Sequence, residues 1–599
     1  MICNICERGC VVQEGSSGAC GMYRNTGGTM LELFPDHYIA VCPISVETMP
    51  VLHFHPAGKL LQISTLGCNL DCPGCVSNLI VKGIHPGFKA VRRLAPETII
   101  EEAVKQNCRG VAFLMNDPLA SLPTFIRVAA LARERGLLVG CSTNCYFTEV
   151  SLSQLMPFLN FINVGFKGFS SRAYTLCGGK SVEPVLRNVE ILANNGVHVE
   201  ASCVHKTGNE PEILKLAGRL AAINPDIPLQ IMRFIPLENT DISTEPSIKE
   251  SEILCSQLEK MLKYVYLFNS PGTHLLNTRC PECGLVLYRR EFYGPMGAKL
   301  RNSPGSAPGR HCPRCGTGTA IRGEISAKAY KEEMFEGGYP FTRALEMIEA
   351  VLISIGVNTE RDFVDVLDHV LGNYSLNRLH KGIQSPEAYL EIIGTFGELT
   401  GRQKSALELV DYIGAKLRLI KEGLKKTELR PRTYYVMGKP LFCLNGDRME
   451  NNLVELAGGA SVNKQLERSG RPGFEITPEI LNRLNPEFIF ISSFFSNRVE
   501  DFSVDCVFTG IDVEAVRKGR IHTHPVPVSD FGSPRWILGL MHIANVLHPE
   551  IFQFDVPAET KEFYQRFYGI EYVPEKTNKS FGKPLSTWRP LSRPGPPQG

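Results

Sequence analysis

The most informative stretch of this sequence is Gly67-Cys68-Asn69-Leu70-Asp71-Cys72-Pro73-Gly74-Cys75. It follows an apolar run over residues 60–65 whose pattern predicts a strand. Its three cysteines, Cys68, Cys72 and Cys75, can hold three irons of a [4Fe–4S] cube, because thiolates are the usual protein ligands of such clusters. The fourth iron would then be open to a small molecule. A zinc site completed by a ligand from elsewhere in the chain is the alternative interpretation.

This cysteine spacing closely resembles the signature of the radical S-adenosylmethionine (radical SAM) enzymes. The resemblance implies that S-adenosylmethionine (SAM) binds the open iron through its amino and carboxylate groups. It further implies reductive cleavage of SAM to methionine and a 5′-deoxyadenosyl radical, which is chemistry that belongs to the cofactor. A reductant such as flavodoxin or ferredoxin would be a partner.

Bulk composition excludes several classes of protein. The 599 residues contain 64 Lys and Arg against 62 Asp and Glu, a net charge of +2, which gives no argument for nucleic acid or an anionic membrane as partner. No apolar run approaches the roughly 20 residues of a membrane-spanning helix, and the first residues lack a signal-peptide pattern. The 20 cysteines, many in C-x-x-C clusters, indicate metal ligands in a reducing cytoplasm.

The predicted fold class is α/β, with several domains because the chain is too long for one core. We expect a Cys-rich leader (1–50), a partial (β/α)6 radical SAM barrel (51–275), a zinc-ribbon- or rubredoxin-like insert (276–325), a helical region (326–430), a C-terminal α/β lobe (431–573) and a disordered tail (574–599).

Four cysteines of the leader, Cys3, Cys6, Cys10 and Cys20, lie beside glycines that permit tight turns and predict one four-thiolate site. The block resembles the leader of the radical SAM branch that contains pyruvate formate-lyase-activating enzyme and the AmmeMemoRadiSam group. A second Fe–S cluster and a structural zinc both remain open, since the number of thiolates does not separate the two metals.

Alternating apolar strands and helical patterns predict a parallel sheet. The expected strands are residues 60–65, 110–115, 137–143, 161–167, 197–204 and 229–234, with helices such as 124–135 and 210–222 between them. Six such strands fit the partial barrel of the radical SAM family. In parallel α/β barrels the chemistry collects at the carboxyl ends of the strands.

Polar residues follow four of these strands, and the family resemblance implies roles for them in binding SAM. Asn116 and Asp117 match the Asn-Glu-Pro element that binds the SAM amino group, with the shorter Asp117 in place of Glu. After the third strand, Ser142-Thr143-Asn144 matches the family's Thr-Asn-Gly element, with Cys145 in place of the glycine, and Ser142 and Asn144 are the expected SAM-binding residues there.

Two further matches lie at the ends of the fourth and sixth strands. Lys167 keeps the lysine of the family's Asn-x-Asp-x-Lys element and could pair with the SAM carboxylate. Gly165 replaces the aspartate that helps to hold a monovalent cation in activating enzymes, so this sequence lacks that cation ligand. Arg233 matches the Arg-Phe-x-Pro element and is expected to face SAM or the substrate.

Two C-P-x-C-G knuckles follow the expected barrel. Cys280 and Cys283 form the first, and Cys312 and Cys315 form the second. Paired knuckles supply four thiolates to one tetrahedral metal. Structural zinc is the first interpretation, and a single iron that feeds electrons to the barrel is the second.

The C-terminal half predicts helices at 342–355, 360–371, 386–393 and 403–421, and then strands near 433–437, 488–492, 507–509 and 521–524. Phrases such as Gly397-Glu398-Leu399-Thr400-Gly401 and Leu456-Ala457-Gly458-Gly459 resemble the C-terminal lobe of the iron-siderophore and cobalamin substrate-binding proteins of ABC importers. This lobe could dock a protein partner or hold a metal chelate or corrinoid.

Two functions are therefore expected from the sequence. The first is a cytoplasmic radical SAM enzyme, similar to activating enzymes, that abstracts hydrogen from an unidentified substrate or from a glycine of a partner protein. The second is a protein that handles or assembles a metal chelate or corrinoid cofactor, with Fe–S electron transfer.

Overall fold

A computed structural model describes residues 1–236, 240–301, 310–326, 328–332, 335, 337–357, 363–466, 472–574, 576 and 577 of the chain. The expected tail from 574 onward lies almost entirely outside these residues, as do the first residues of the helix expected at 360–371.

A sheet of eight strands forms the centre of the first half of the chain. Its strands, in chain order, are Ala40–Ser45 (β1), Lys59–Ser64 (β2), Gly110–Phe113 (β3), Leu138–Thr143 (β4), Phe161–Phe166 (β5), His198–His205 (β6), Leu229–Arg233 (β7) and Val265–Phe268 (β8). They pair in the order β8-β7-β6-β5-β4-β3-β2-β1. All pairs are parallel except β1 with β2, which is antiparallel.

Seven helices accompany this sheet: Pro96–Lys105 (α1), Leu122–Glu134 (α2), Glu149–Leu155 (α3), Ser171–Leu176 (α4), Glu183–Asn194 (α5), Glu210–Ile223 (α6) and Ile248–Leu258 (α7). The six expected strands are all present, each within one or two residues of its expected limits. The prediction of only six strands missed β1 and β8, which extend the sheet at its two edges.

A glycine on β4 leaves room for an aromatic ring on the neighbouring strand. A Cβ at Gly140 would lie 2.3 Å from the ring of Phe161, so a side chain at this position of β4 would displace the ring on β5. The same ring stacks on Phe54 with centroids 4.8 Å apart. The amino edges of the strands are therefore closed by aromatic packing.

Small hairpins follow β8. Strands Thr278–Arg279 and Val286–Tyr288 pair with one another, as do Arg290–Phe292 and Ala298–Leu300. Both knuckles share one backbone pattern: the N–H of Cys280 binds the carbonyl of Leu285, and the N–H of Cys312 binds the carbonyl of Thr317. Near the leader, Tyr23–Thr26 pairs with Thr29–Glu32, and His37–Tyr38 pairs with Arg92–Arg93.

A group of five helices comes next: Tyr339–Ser354 (α8), Phe363–Asn373 (α9), Leu376–Gly382 (α10), Pro386–Thr400 (α11) and Gln403–Gly423 (α12). The expected helix at 386–393 is longer than predicted and runs to Thr400, where Gly401 ends it with a positive φ of 68°. An apolar cluster is continuous from the sheet through α8 to this group.

The C-terminal region contains a second, mixed sheet of Arg432–Val436 (β9), Phe442–Leu444 (β10), Ala460–Ser461 (β11), Gly473–Glu475 (β12), Phe488–Ile491 (β13) and Ile521–His522 (β14). The order is β12-β10-β9-β13-β14, and β11 also pairs with β9. Its helices are Met449–Leu456 (α13), Pro478–Leu484 (α14), Val499–Phe508 (α15), Glu514–Arg517 (α16), Trp536–Leu547 (α17) and Val556–Phe563 (α18).

One strand prediction in this region was wrong. Residues 507 and 508 end the helix α15, and Thr509 follows as its C-cap. Phe502 and Cys506 are buried one turn apart, whereas Val507 and Phe508 are 74% and 85% exposed. The buried pair has the i, i+4 spacing of a helix. This spacing outweighs the preference of Val507 and Phe508 for strands.

No helix in the described part of the chain combines the length and apolar character needed to cross a membrane.

Candidate active site

A cavity of about 690 Å³ lies at the carboxyl ends of β2–β7. Its wall contains the three cysteines of the loop after β2 and all six polar residues that the sequence assigned to SAM: Asn116, Asp117, Ser142, Asn144, Lys167 and Arg233. Parallel strands bring these side chains together because their carboxyl ends meet at one edge. Cavities of about 300–1,000 Å³ are typical of small-molecule sites.

The loop of Cys68, Cys72 and Cys75 is shaped by two glycines with positive φ, 75° at Gly67 and 67° at Gly74. The backbone N–H of Leu70 points to Sγ of Cys68 at 3.4 Å. Among the described residues, no three metal-binding atoms of this loop lie within 4.8 Å of one another. Thiolates that bind separate irons of a cube need not converge as closely as the ligands of a single ion.

Asn116 holds the start of this loop. Its Nδ2 lies 2.9 Å from Oγ1 of Thr65 and 3.1 Å from the carbonyl of Gly67, and its Oδ1 accepts from the N–H of Thr65 at 3.0 Å. Met115, directly before it, has a φ of 79°, a strained value for a side chain of this size. The Asn116 amide is therefore engaged with the protein and positions the loop.

Asp117 is 4% exposed and accepts hydrogen bonds from the N–H groups of Asn144 and Leu119, at 2.7 and 3.0 Å. The hydroxyl of Thr143 also donates to it. Burial raises the pKa of Asp117, and these hydrogen bonds together with the Lys167 charge oppose that shift. The carboxylate couples the end of β3 to the end of β4.

Asn144 connects β4 to the cysteine loop. Its Nδ2 donates to Oδ1 of Asn69 at 2.7 Å, and its Oδ1 accepts from the N–H of Tyr146 at 3.0 Å. Cys145, which stands where the family has glycine, keeps a positive φ of 56°. The turn thus keeps a backbone conformation that is strained for a residue with a side chain. The surrounding contacts must hold Cys145 in this conformation.

Lys167 extends from the end of β5 into the cavity. Burial alone would lower the pKa of Lys167, but the thiolates of Cys72, Cys75 and Cys68 outweigh it and raise the pKa above its ordinary value. Its Nζ lies 3.4 Å from the position that a Cβ at Gly165 would occupy. The absence of a side chain at residue 165 leaves this ammonium close to the strand.

Arg233 is only 1% exposed at the end of β7. Its Nη1 binds Glu245 at 2.7 Å and its Nε binds the carbonyl of Asn269 at 3.0 Å, while Nη2 is buried with no hydrogen-bond partner in the described structure. The guanidinium therefore braces the segments after β7 and β8, and its Nη2 has no partner among the described residues.

His205 has a structural role. Its Nδ1 lies 2.9 Å from Oγ of Ser251, and its Nε2 lies 3.1 Å from Glu210. These contacts join the end of β6 to α6 and α7.

Several cavity residues come from segments that sequence reasoning did not connect with the barrel. The side chains of Tyr339, Arg343 and Glu346 come from α8, and Phe494 and Phe495 come from the loop after β13. Gly338, the N-cap of α8, donates its N–H to Oε1 of Gln62 on β2 at 2.7 Å. Their distance in sequence from the cysteine loop leaves no local signal for this placement.

The roof of the cavity is held together by charge and aromatic contacts. Arg343 binds Glu346 at 2.5 Å, and its guanidinium lies 4.6 Å from the centre of the Phe494 ring. Tyr339 lines the cavity together with Ser142, and burial raises the pKa of Tyr339. The start of α8 thus faces the end of β4 across the cavity.

The ribbon cysteines form a compact group at the other edge of the sheet. The Sγ atoms of Cys280, Cys283, Cys312 and Cys315 all lie within 4.8 Å of one another. Sγ atoms lie 3.5 Å apart for Cys280 and Cys315, and 3.6 Å apart for Cys283 and Cys312. A tetrahedral zinc with Zn–S bonds of about 2.3 Å requires S–S separations of about 3.8 Å, so these residues fit one mononuclear metal.

The ribbon packs against the amino ends of the barrel strands. The backbone of Arg322 binds His53 and His55, and its guanidinium reaches the carbonyl of Gly196, just before β6. The N–H of Ala320 binds the hydroxyl of Tyr264, just before β8. The ribbon thus lies at the amino edges of strands whose carboxyl edges form the cavity, separated by a strand length of about 20 Å.

In the C-terminal region, Tyr434, Tyr435 and Trp536 are fully buried. Ser493 and Tyr435 bind Asp530, with the Tyr435 hydroxyl 3.2 Å from Oδ2, and His524 contacts the same hydroxyl. Burial lowers the pKa of His522, His524 and His542. The three histidines are half-buried at the edge of the core, and their lowered pKa favours the neutral form.

A comparison with known protein families matches the part of the chain that supplies many residues of the cavity wall. The family model of the Radical SAM superfamily matches residues 63–218, so this part of the chain is a Radical SAM superfamily domain. An uncharacterized protein of Methanocaldococcus jannaschii is 28% identical over 323 residues, which cover 52% of this chain and 93% of that protein.

Two solved structures have weaker similarity. A periplasmic solute binding protein from Veillonella parvula is 18% identical with a TM-score of 0.29, over 32% of this chain and 59% of that chain. An ABC transporter solute binding protein from Sulfurospirillum deleyianum is 23% identical with a TM-score of 0.28, over 32% and 60%. The chain thus spans about three fifths of these proteins, and TM-scores of this size do not establish a shared fold.

Proposed function

We propose that this protein is a radical SAM enzyme in which Cys68, Cys72 and Cys75 hold a [4Fe–4S] cluster and the neighbouring cavity receives SAM. Together, the bound cluster and SAM would supply a 5′-deoxyadenosyl radical for hydrogen abstraction. The observation that carries the proposal is the convergence of the three cysteines with Asp117 and Lys167 in one cavity.

The donor set fits such a cluster. Three thiolates on one glycine-shaped loop are the ligands expected for a cube with one open iron. The Lys167 ammonium and the N–H of Leu70 lie beside these sulfurs and would offset their negative charge.

The protein's own contribution would be to hold SAM in one orientation. Asp117 would attract the SAM amino group, and Lys167 would attract its carboxylate. Asn116 and Asn144 would act as positioning residues through the loop backbone and Asn69. The α8 roof would exclude water from a reactive radical.

We infer that the substrate is a small molecule and not a glycine of a partner protein. The cavity is walled by Tyr339, Arg343, Phe494 and Phe495, which belong to later segments of the same chain. Its volume of about 690 Å³ lies within the range of about 300–1,000 Å³ typical of small-molecule sites. Likeness to the activating-enzyme branch rests on the leader and strand-end motifs alone.

The first experiment is anaerobic reconstitution followed by addition of dithionite and SAM, with 5′-deoxyadenosine as the readout. Wild-type protein should release it, and Cys72→Ala should not. Cys506→Ala, a buried thiol in the C-terminal core, is the matched control and should behave as wild type. Metal-chelate or corrinoid binding without SAM cleavage, in protein with a full cluster, would favour the cofactor-handling alternative.

A further inference from the structure

The two four-cysteine sets of this chain differ in geometry. In the ribbon, all four sulfurs lie within 4.8 Å of one another, as one tetrahedral ion requires. In the leader, no three sulfurs of Cys3, Cys6, Cys10 and Cys20 meet that limit. The leader shares this wider arrangement with the loop of Cys68, Cys72 and Cys75.

The loops that carry the four leader cysteines nevertheless pack against one another. The N–H of Cys3 binds the carbonyl of Cys10 at 2.9 Å, which closes the first loop. The N–H of Gly9 binds the carbonyl of Cys6 at 3.1 Å, and a Cβ at Gly18, two residues before Cys20, would lie 3.6 Å from Sγ of Cys10. The four cysteines therefore lie on loops that pack against one another without converging on one point, an arrangement that suits thiolates on separate irons of one cluster.

This site touches the cysteine loop of the barrel directly. Arg8, between Cys6 and Cys10, donates from Nη1 to the carbonyl of Asn69 at 2.8 Å. Met22 packs on Gly67, where a Cβ would lie 2.5 Å from its Sδ. The leader therefore contacts the residues on both sides of Cys68.

A second set of contacts fixes this position. The N–H of Glu7 binds the carbonyl of Tyr146 at 3.0 Å, and its carboxylate pairs with Arg187 at 2.8 Å. The Tyr23 hydroxyl donates to the carbonyl of Leu119 at 2.7 Å. The leader is thus attached to the carboxyl ends of β3 and β4, the edge opposite to the ribbon.

We propose that Cys3, Cys6, Cys10 and Cys20 bind an iron–sulfur cluster that serves as the electron entry site of the barrel, whereas the ribbon binds zinc. A one-electron carrier of the ferredoxin or flavodoxin class would reduce the leader cluster by one electron. That electron would pass to the cluster of the barrel loop, so the leader cluster returns to its oxidised state and the carrier is left oxidised by one electron. The electron-entry role rests on the proposed radical SAM function, but the identity of the leader metal does not.

The test is metal analysis and Mössbauer spectroscopy of the full-length protein after anaerobic reconstitution. The wild type should hold about eight irons in two clusters and about one zinc. Cys10→Ala/Cys20→Ala, which changes the two more exposed leader ligands, should lose about four irons and keep its zinc. The ribbon variant Cys283→Ala/Cys315→Ala should lose its zinc and keep all of its iron.

Three results would overturn the proposal: a wild type with only about four irons, a leader variant that loses zinc, or a leader variant that loses neither metal. The wild-type count needs no variant, so a misfolded variant does not leave the question open. Replacement of Cys68, Cys72 and Cys75 by Ala should leave the leader cluster intact, which separates this inference from the proposed function.

The entry role has its own readout. In the leader variant, SAM cleavage driven by reduced ferredoxin should be lost while cleavage driven by dithionite, which can enter the cavity, is retained. Equal rates of ferredoxin-driven reduction of the barrel cluster in wild type and variant, followed by EPR, would reject the role.

Discussion

Oδ2 of Asp117 accepts a hydrogen bond from the backbone N–H of Asn144, with the two atoms 2.7 Å apart. This contact joins the ends of two neighbouring strands and fixes a negative charge on the cavity wall. Thr143 shares the same carboxylate, so the position of Asp117 is determined by the protein before any ligand binds.

Replacement of Asp117 tests its assignment to the SAM amino group. Asp117→Asn keeps the shape but removes the charge, and a hydrogen bond to a charged group contributes about 1.5–3 kcal/mol, so SAM affinity should fall about 10- to 100-fold. Isothermal titration under anaerobic conditions would measure this. Asp226→Asn, on the exposed carboxylate that pairs with Lys263, is the control. An unchanged SAM affinity with full iron content would refute the assignment.

The ion pair of Lys299 and Glu332 should be important for stability. Their side chains are 0% and 5% exposed, and Glu332 also accepts from the N–H of Ser45 at 2.7 Å. Lys299→Met leaves a buried carboxylate without its partner and should cost about 3–5 kcal/mol. The readout is the thermal unfolding midpoint.

The exposed pair of Lys263 and Asp226 offers a matched comparison, with side chains 48% and 43% exposed. Lys263→Met should change stability by less than about 1 kcal/mol. Lys299→Met/Glu332→Gln should recover part of the loss, because Glu332 no longer leaves a carboxylate without its partner. A single Lys299 variant as stable as the wild type would show that this pair does not anchor residues 328–332.

His53 predicts a specific dependence of stability on pH. Burial lowers the pKa of His53 from 6.5 to about 3. Between these values the unfolded chain binds a proton that the folded chain does not, so the free energy of unfolding decreases as the pH falls through this window. At pH 5 the loss is about 2 kcal/mol.

His53→Gln removes this titration and should reduce the difference between the unfolding midpoints at pH 7 and pH 5. The imidazole lies 2.5 Å from the Tyr266 hydroxyl, so some loss of stability at both pH values is expected from the lost contact. The diagnostic quantity is the difference between the two pH values, not the midpoint itself. Parallel profiles for the wild type and the variant would contradict the prediction.

The ribbon should contribute to stability but not to the chemistry of the cavity. Cys315→Ser should release the ribbon metal and lower the unfolding midpoint. Dithionite-driven SAM cleavage should persist below that temperature, because the ribbon lies at the amino edges of the strands. Loss of the barrel cluster's EPR signal in this variant would instead favour the electron-transfer interpretation of the ribbon.

Several elements were predictable because their signals are local. The parallel strands β2–β7 are short, mostly buried segments that alternate with helical patterns, and the polar residues after them fall at one edge. In contrast, β1 and β8 were missed, since a count of six strands taken from the family left no place for edge strands. The expected strand at 507–509 failed because the burial of Phe502 and Cys506 follows a helical period.

The amino-acid sequence by itself determined the three thiol groups and the polar residues at the strand ends, because ligand spacing within a loop and residues next to a strand are local properties. Only the tertiary structure shows that α8 and Phe494 cover the cavity and that Arg8 donates to the carbonyl of Asn69. It also places the ribbon at the amino edge of the sheet, opposite to the cavity. These contacts join residues from 61 to several hundred positions apart, and they depend on how whole elements pack together. Packing of this kind follows from the shape and burial of many side chains at once, which no local pattern encodes.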